Sequence, residues 1–123
     1  MPNTTIIGVV KEGKKLGTEL GFPTANIAID NLVKIENGVY AIRIHLDGFN
    51  YKGMANIGYR PTVDNGTERL LEVHIFDYSG QLYWKKIAVT LCHYLRDEKK
   101  FASTDELVDA MKEDERKARA LLI

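Results

Sequence analysis

The stretch Gly38-Val39-Tyr40-Ala41-Ile42-Arg43-Ile44-His45-Leu46-Asp47-Gly48 decides the fold class. Its even positions, Tyr40, Ile42, Ile44 and Leu46, are all apolar, while Arg43 and His45 occupy the opposite side. A period of two is the mark of a half-buried strand, and Asp-Gly is a hairpin turn signal. A partner strand through Tyr51 to Ile57 therefore completes a hairpin. Leu70 to Tyr78 alternates again, with Leu71, Val73 and Ile75 on one side and Glu72, His74 and Phe76 on the other. Ser79-Gly80 reads as a turn into a strand from Ile87 to Leu95. An earlier strand covers Thr5 to Val10, and a short one follows Pro23. Strands at this spacing, with no helical segment between them, predict a mainly β protein, an antiparallel barrel or sandwich.

The C-terminus changes period. Ser103-Thr104-Asp105-Glu106 has the form of a capping box. Leu107, Val108, Met111, Ala118, Leu121 and Leu122 then recur at helical spacing. The sequence predicts one amphipathic helix of roughly 18 residues packed on the barrel. The charged run from Lys112 to Lys117 reads as its solvated face.

With 123 residues, 45% of them hydrophobic, the chain has the size of one globular domain. We expect a single unit over residues 1–123, with the barrel at about 5–96 and the helix at about 103–122. Seventeen basic and seventeen acidic residues cancel. That balance disfavours non-specific binding to nucleic acid or anionic membrane. No apolar run is long enough to span a bilayer, and the N-terminus lacks the features of a signal peptide. A lone cysteine, Cys92, allows no internal disulfide. A soluble, cytoplasmic domain is the expectation.

The residues that can carry chemistry lie in two places. Gly8 to Asn26 holds four glycines, the last of them opening Gly21-Phe22-Pro23-Thr24-Ala25-Asn26, and two adjacent lysines, Lys14 and Lys15. Gly8-x-x-x-x-Gly13-Lys14 approaches a P-loop, but Lys15 stands where Ser or Thr is needed for magnesium. A phosphate-covering flap and an ordinary hairpin both fit these glycines. Thr24 and Asn26 are two apart, so they share a face of an extended segment and offer hard, neutral oxygens suited to magnesium. A Pro-Thr turn fits them as well. Glu72 projects from the face opposite Leu71, Val73 and Ile75, where a carboxylate can serve as a general base or simply decorate a surface strand. His74 shares that face and reads as a packing or hydrogen-bonding residue.

Taken together, these segments resemble the riboflavin kinase family, including the C-terminal kinase module of bacterial bifunctional riboflavin kinase/FAD synthetases. The resemblance runs from about Ile7 to Leu122. It rests on Gly8-Val9-Val10 with Gly13, Leu20 to Asn26 with its Pro-Thr-Ala-Asn core, and Asn37-Gly38-Val39-Tyr40. Ala55-Asn56-Ile57-Gly58-Tyr59-Arg60-Pro61-Thr62, Glu72 to Asp77, and Leu95 to Phe101 complete it.

The resemblance implies a six-stranded antiparallel Greek-key barrel with a C-terminal helix. It also implies transfer of the ATP γ-phosphoryl group to the 5′-hydroxyl of riboflavin, giving FMN and ADP. On the family pattern Thr24 and Asn26 hold Mg2+ and Glu72 is the catalytic base. Gly8, Gly13, Lys15, Gly17, Gly21, Pro23, Ile75, Asp77 and Tyr83 fall in nucleotide-binding positions. Arg96, Lys99, Phe101 and Thr104 fall where the flavin is contacted. A fused N-terminal FMN adenylyltransferase domain is the expected partner in a longer protein. A non-catalytic flavin- or nucleotide-binding barrel is the competing reading. Two positions depart from the pattern: Thr18, where a basic residue is usual, and Trp84, where glycine is common. Lys14 or Lys15 is expected to compensate for the first.

Overall fold

The computed structural model describes residues 4–11, 23–30 and 33–123. The alternating segments form β1 (Thr4–Val9), β2 (Ala25–Ile29), β3 (Gly38–Leu46), β4 (Phe49–Pro61), β5 (Thr67–Ile75) and β6 (Lys86–Arg96). A helix, α1 (Thr104–Leu121), follows. All neighbouring strands are antiparallel, in the order β1-β6-β3-β4-β5-β2. Strands β3, β4 and β5 form a meander, and β6 returns to lie beside β3, which is the Greek-key arrangement. The ends of the sheet meet where the Lys11 N–H donates to the Asn26 carbonyl at 2.7 Å, so the barrel nearly closes.

The hairpin read from Asp47-Gly48 forms as expected. Both residues have positive φ, +51° and +83°, the backbone that a two-residue hairpin turn demands. Two strand limits differ from expectation. β4 continues past Ile57 to Pro61, paired with β5 all the way. β5 begins at Thr67 and stops at Ile75, because Asp77 turns into the left-handed region at φ +59°. The Trp84 departure also has a structural reading. Trp84 sits at φ +69° and is 72% exposed, a position that glycine fills without steric cost.

Inward-facing residues include Ile27, Ile42, Ile44, Ile57, Leu71, Val73, Ile87 and Val89, all at or below 2% exposure. Each contributes roughly 1.5–3 kcal/mol by leaving water. A six-stranded barrel packed this way has a solid interior, so a ligand site has to lie on its outer face.

The helix begins as its capping box predicts, with Ser103 Oγ accepting from the Glu106 N–H at 3.2 Å. The Glu106 carboxylate accepts in return from the Ala102 N–H, one residue before the cap. Ala118 and Leu122 are buried against Ala41, Met54 and Phe76 on the outer face of the barrel. Two residues depart from expectation. Leu121 is half exposed, because the stripe passes through Ala118 and Leu122 instead. Asp114, read as part of a solvated face, is only 4% exposed. It recurs in helical phase with Leu107, Met111 and Ala118, and Arg96 neutralises it. No helix among the described residues is long and apolar enough to cross a membrane.

Candidate functional site

Strand register assembles one belt of residues across the outer face. Arg96 stands opposite Val39, Val39 opposite Asn56, Asn56 opposite Glu72, and Glu72 opposite Asn26. Lys11 bridges Asn26 and extends the row beyond β1. All six line a cleft of about 730 Å³. Two irregularities in the β3–β6 pairing make this possible. Ile42 faces Leu91, so regular pairing brings Tyr94 opposite Val39; the two extra residues on β6 bring Arg96 there instead.

Glu72 occupies the middle of the row and is half-buried. Its Oε1 accepts from Arg60 Nε at 2.7 Å, while its Oε2 makes no hydrogen bond among the described residues. Arg60 Nη2 also donates to Glu98 at 3.0 Å. Partial burial works against the Arg60 charge, but the carboxylates of Glu72 and Glu98 outweigh it and hold the guanidinium more firmly protonated than usual. Gly58 makes room for this clamp: a Cβ there would fall 2.3 Å from Glu98 Oε1. The segment after β6 is thereby clipped to β4, and the Glu72 carboxylate is anchored through one oxygen and faces the cleft.

On both sides of Glu72 stands an unsatisfied acceptor. Asn26 Oδ1 and Asn56 Oδ1 are buried and have no hydrogen-bond partner among the described residues. Buried polar atoms are rarely left so, which marks these two as waiting for something. Thr24, half-buried, lines the cleft with Asn26. The approach to this pair is fixed by His74, whose Nδ1 lies 2.7 Å from the Pro23 carbonyl oxygen. A hydroxyl and an orphaned amide oxygen beside a carboxylate form a donor set that fits a hard divalent cation, which seeks oxygen. Among the described residues no cluster of three or more His, Cys, Asp or Glu offers a different metal site.

The other end of the cleft is built by β6, the segment after it, and α1. The Arg96 guanidinium grips Asp114 through two bonds, at 2.9 and 2.8 Å. It also lies 5.7 Å from the Phe101 ring centroid. Lys99, Phe101, Leu107 and Met111 complete a wall of apolar surface and cations.

Of the residues singled out from the sequence, Thr24, Asn26, Glu72, Arg96, Lys99 and Phe101 therefore meet in one cleft. Pro23 lies beside it, held by His74. Thr104 is exposed at the first turn of α1 and does not line the cleft. Ile75 faces the barrel core, and Tyr83 packs against that core. Asp77 is exposed and pairs with Arg119. That pairing, led by the hydrogen bond, holds its carboxyl below the usual carboxylate range. Gly8 faces inward, where a Cβ would fall 2.5 Å from Ile27 Cγ2, so close passage of β1 over β2 requires glycine. Gly13, Lys15, Gly17 and Gly21 lie outside the described residues.

Sequence reasoning missed Lys11, Asn56, Arg60 and Glu98. Asn56 and Arg60 carried a usable signal, because they share the even, outward parity of Met54 on β4. Seeing it required the strand to run on to Pro61. Lys11 and Glu98 lie outside the strands, and nothing local marks them.

The outer face of this barrel carries a polar cleft of small-molecule size, with a carboxylate between two amide oxygens unsatisfied among the described residues and a cation at each end. Residues 2–122 match the model of the flavokinase, or riboflavin kinase, family. The chain belongs to the riboflavin kinase family. It is 45% identical over 116 residues to a bifunctional riboflavin kinase/FMN adenylyltransferase from Haemophilus influenzae, covering 94% of this chain and 37% of that protein. The chain thus spans well under half of that relative. A riboflavin kinase structure from Trypanosoma brucei shares the fold, with a TM-score of 0.71 at 23% identity, covering 99% of this chain and 81% of that one. A Streptococcus pneumoniae structure described as a macrolide-efflux protein superposes with a TM-score of 0.85 at 35% identity, covering 95% of this chain and 38% of that chain.

Proposed function

We propose that this chain transfers the γ-phosphoryl group of ATP to the 5′-hydroxyl of riboflavin, giving FMN and ADP, with Mg2+ as the metal. The observation that carries the reading is the row Arg96–Val39–Asn56–Glu72–Asn26–Lys11. It runs from an apolar wall, past a carboxylate, to neutral oxygens and a cation. Phosphoryl transfer asks a protein mainly for alignment and charge neutralisation, and the row supplies both.

In this reading Phe101, Leu107 and Met111 take the isoalloxazine ring, with Arg96 and Lys99 at its polar edge. The ribityl chain then extends along the row toward Glu72. Glu72, held by Arg60 through Oε1, presents Oε2 to the terminal hydroxyl and takes its proton as the oxygen attacks. Thr24 and Asn26 hold the Mg2+, which when bound neutralises charge on the phosphate oxygens. Lys11 stands beside Asn26, where it can meet the same phosphates. Gly13, Lys15, Gly17 and Gly21 are assigned to nucleotide binding by the family motif alone. The relatives' second named activity, FMN adenylylation, belongs to a fused partner domain that consumes the FMN formed here.

The test is FMN formation from riboflavin, ATP and Mg2+, resolved by chromatography with a chelator control. Glu72→Gln keeps the size of the side chain but not its basicity. A loss of kcat by about 10²–10⁴-fold with flavin binding retained is expected. Near-wild-type turnover in that variant would remove Glu72 from the role.

A further inference from the structure

Asn56 has no part in the chemistry described above, yet its side-chain oxygen is one of the two buried acceptors left without a partner among the described residues. Strand order says what it waits for. Reading across the sheet, Arg96 lies on β6, beyond β3, and α1 with its part of the apolar wall packs over β6, β3 and β4; Asn56 lies on β4, Glu72 on β5 and Asn26 on β2. Asn26 is therefore on the phosphate side of the carboxylate, and Asn56 is on the flavin side. A metal held at Thr24 and Asn26 satisfies the first acceptor and leaves the second untouched. A flavin seated on the helix side must run its polyol chain across Asn56 to bring its end to Glu72.

We infer that Asn56 Oδ1 accepts a hydrogen bond from a secondary hydroxyl of the ribityl chain, making Asn56 a residue that selects the polyol. This rests on the riboflavin kinase reading. An acceptor shut away from water gains little from an alkyl chain and much from a hydroxyl, so its effect is on discrimination between the two. Its neighbours support a fixed position: Val39 on one side is buried, and Glu72 on the other is anchored by Arg60.

The experiment compares riboflavin with a flavin whose N10 chain is 5-hydroxypentyl, which keeps the reacting hydroxyl and lacks the secondary ones. Wild type is expected to prefer riboflavin by tenfold or more in kcat/KM. Asn56→Leu, nearly isosteric, is expected to lose about tenfold or more on riboflavin, as for one hydrogen bond whose donor is left unpaired. The same variant should turn over the hydroxypentyl flavin within threefold of wild type. Its melting temperature should be equal or higher, because a buried orphaned acceptor is gone. Asn56→Ser, which restores an acceptor at shorter reach, should fall between. Equal losses on both substrates, no loss on either, or a changed Mg2+ requirement in place of a changed preference would overturn the assignment. Wild-type protein that forms no FMN at all would take the kinase reading down with it. FMN formation by a variant with unaltered discrimination sinks the Asn56 inference alone.

Discussion

Asp114→Asn separates the buried ion pair from the many exposed ones. Asp114 receives Arg96 through two bonds at 2.9 and 2.8 Å, at a side chain only 6% exposed, with Arg96 itself 22% exposed. Asparagine keeps the shape and one acceptor but sets an NH2 against the second donor. One charge-assisted bond is lost outright and the other becomes neutral, which costs about 2–3 kcal/mol. Unfolding entropy of about 2.1 cal/mol/K per residue amounts to roughly 0.26 kcal/mol/K for this chain. The melting midpoint should therefore fall by about 8–12 °C. Because the pair joins the end of β6 to α1, the flavin wall loosens as well, and the KM for riboflavin should rise more than that for ATP. Calorimetry and steady-state kinetics on the same preparation read both effects. Glu113→Gln, which weakens an exposed pair with Arg116, serves as the control and should leave the midpoint where it is. A drop below about 2 °C for Asp114→Asn would show that desolvation of the pair cancels its attraction, and would refute the reasoning.

Lys11→Ala should raise the KM for ATP several-fold with kcat changed little, since Lys11 lies at the phosphate end of the cleft; an effect on the riboflavin KM instead would move Lys11 to the wrong substrate. Trp84→Gly should stabilise the fold by about 1 kcal/mol, because the indole is exposed and the backbone is left-handed; denaturant unfolding decides it, and a loss of stability would mean that the indole's packing outweighs its backbone. Tyr94 donates its hydroxyl to the Asp97 carboxylate, which pushes the phenol up to about 12. A pKa raised by folding contributes stability that is whole below pH ~10 and is lost as the pH climbs toward about 12. Ultraviolet difference titration of wild type and Tyr94→Phe should show this late-ionising phenol only in the former.

The strands and the helix were legible because each depends on local periodicity. Tyr40, Ile42, Ile44 and Leu46 alternate regardless of what they pair with, and Ser103 caps whatever follows it. Glu72 was legible as an outward residue for the same reason. The belt it belongs to was not, because register is a relation between strands far apart in the chain. Arg96 reaches the cleft only through two irregularities on β6, and no alternation pattern announces them. Asp114 was hidden by its charge: a carboxylate in an acidic and basic run reads as surface until the distant Arg96 is brought to it. Lys11 and Glu98 depend on closure of the barrel and on the Arg60 clamp, both of which are tertiary. What pointed to Thr24 and Asn26 was a motif, and the structure adds that Asn26 Oδ1 is buried with no hydrogen-bond partner among the described residues.

The belt and the core lie on opposite faces of the same strands, so they are opposite parities of one pattern. A slip of one residue in any strand would turn its contribution to the belt inward and expose its share of the core. The hydrophobic interior thus acts as a proofreader for the chemistry, since any misaligned strand forfeits its burial before it can misplace a ligand-binding group. It follows that misregistered chains should be discarded as unfolded and not accumulate as folded, inactive enzyme. The fraction of a preparation that binds flavin should then track its folded fraction.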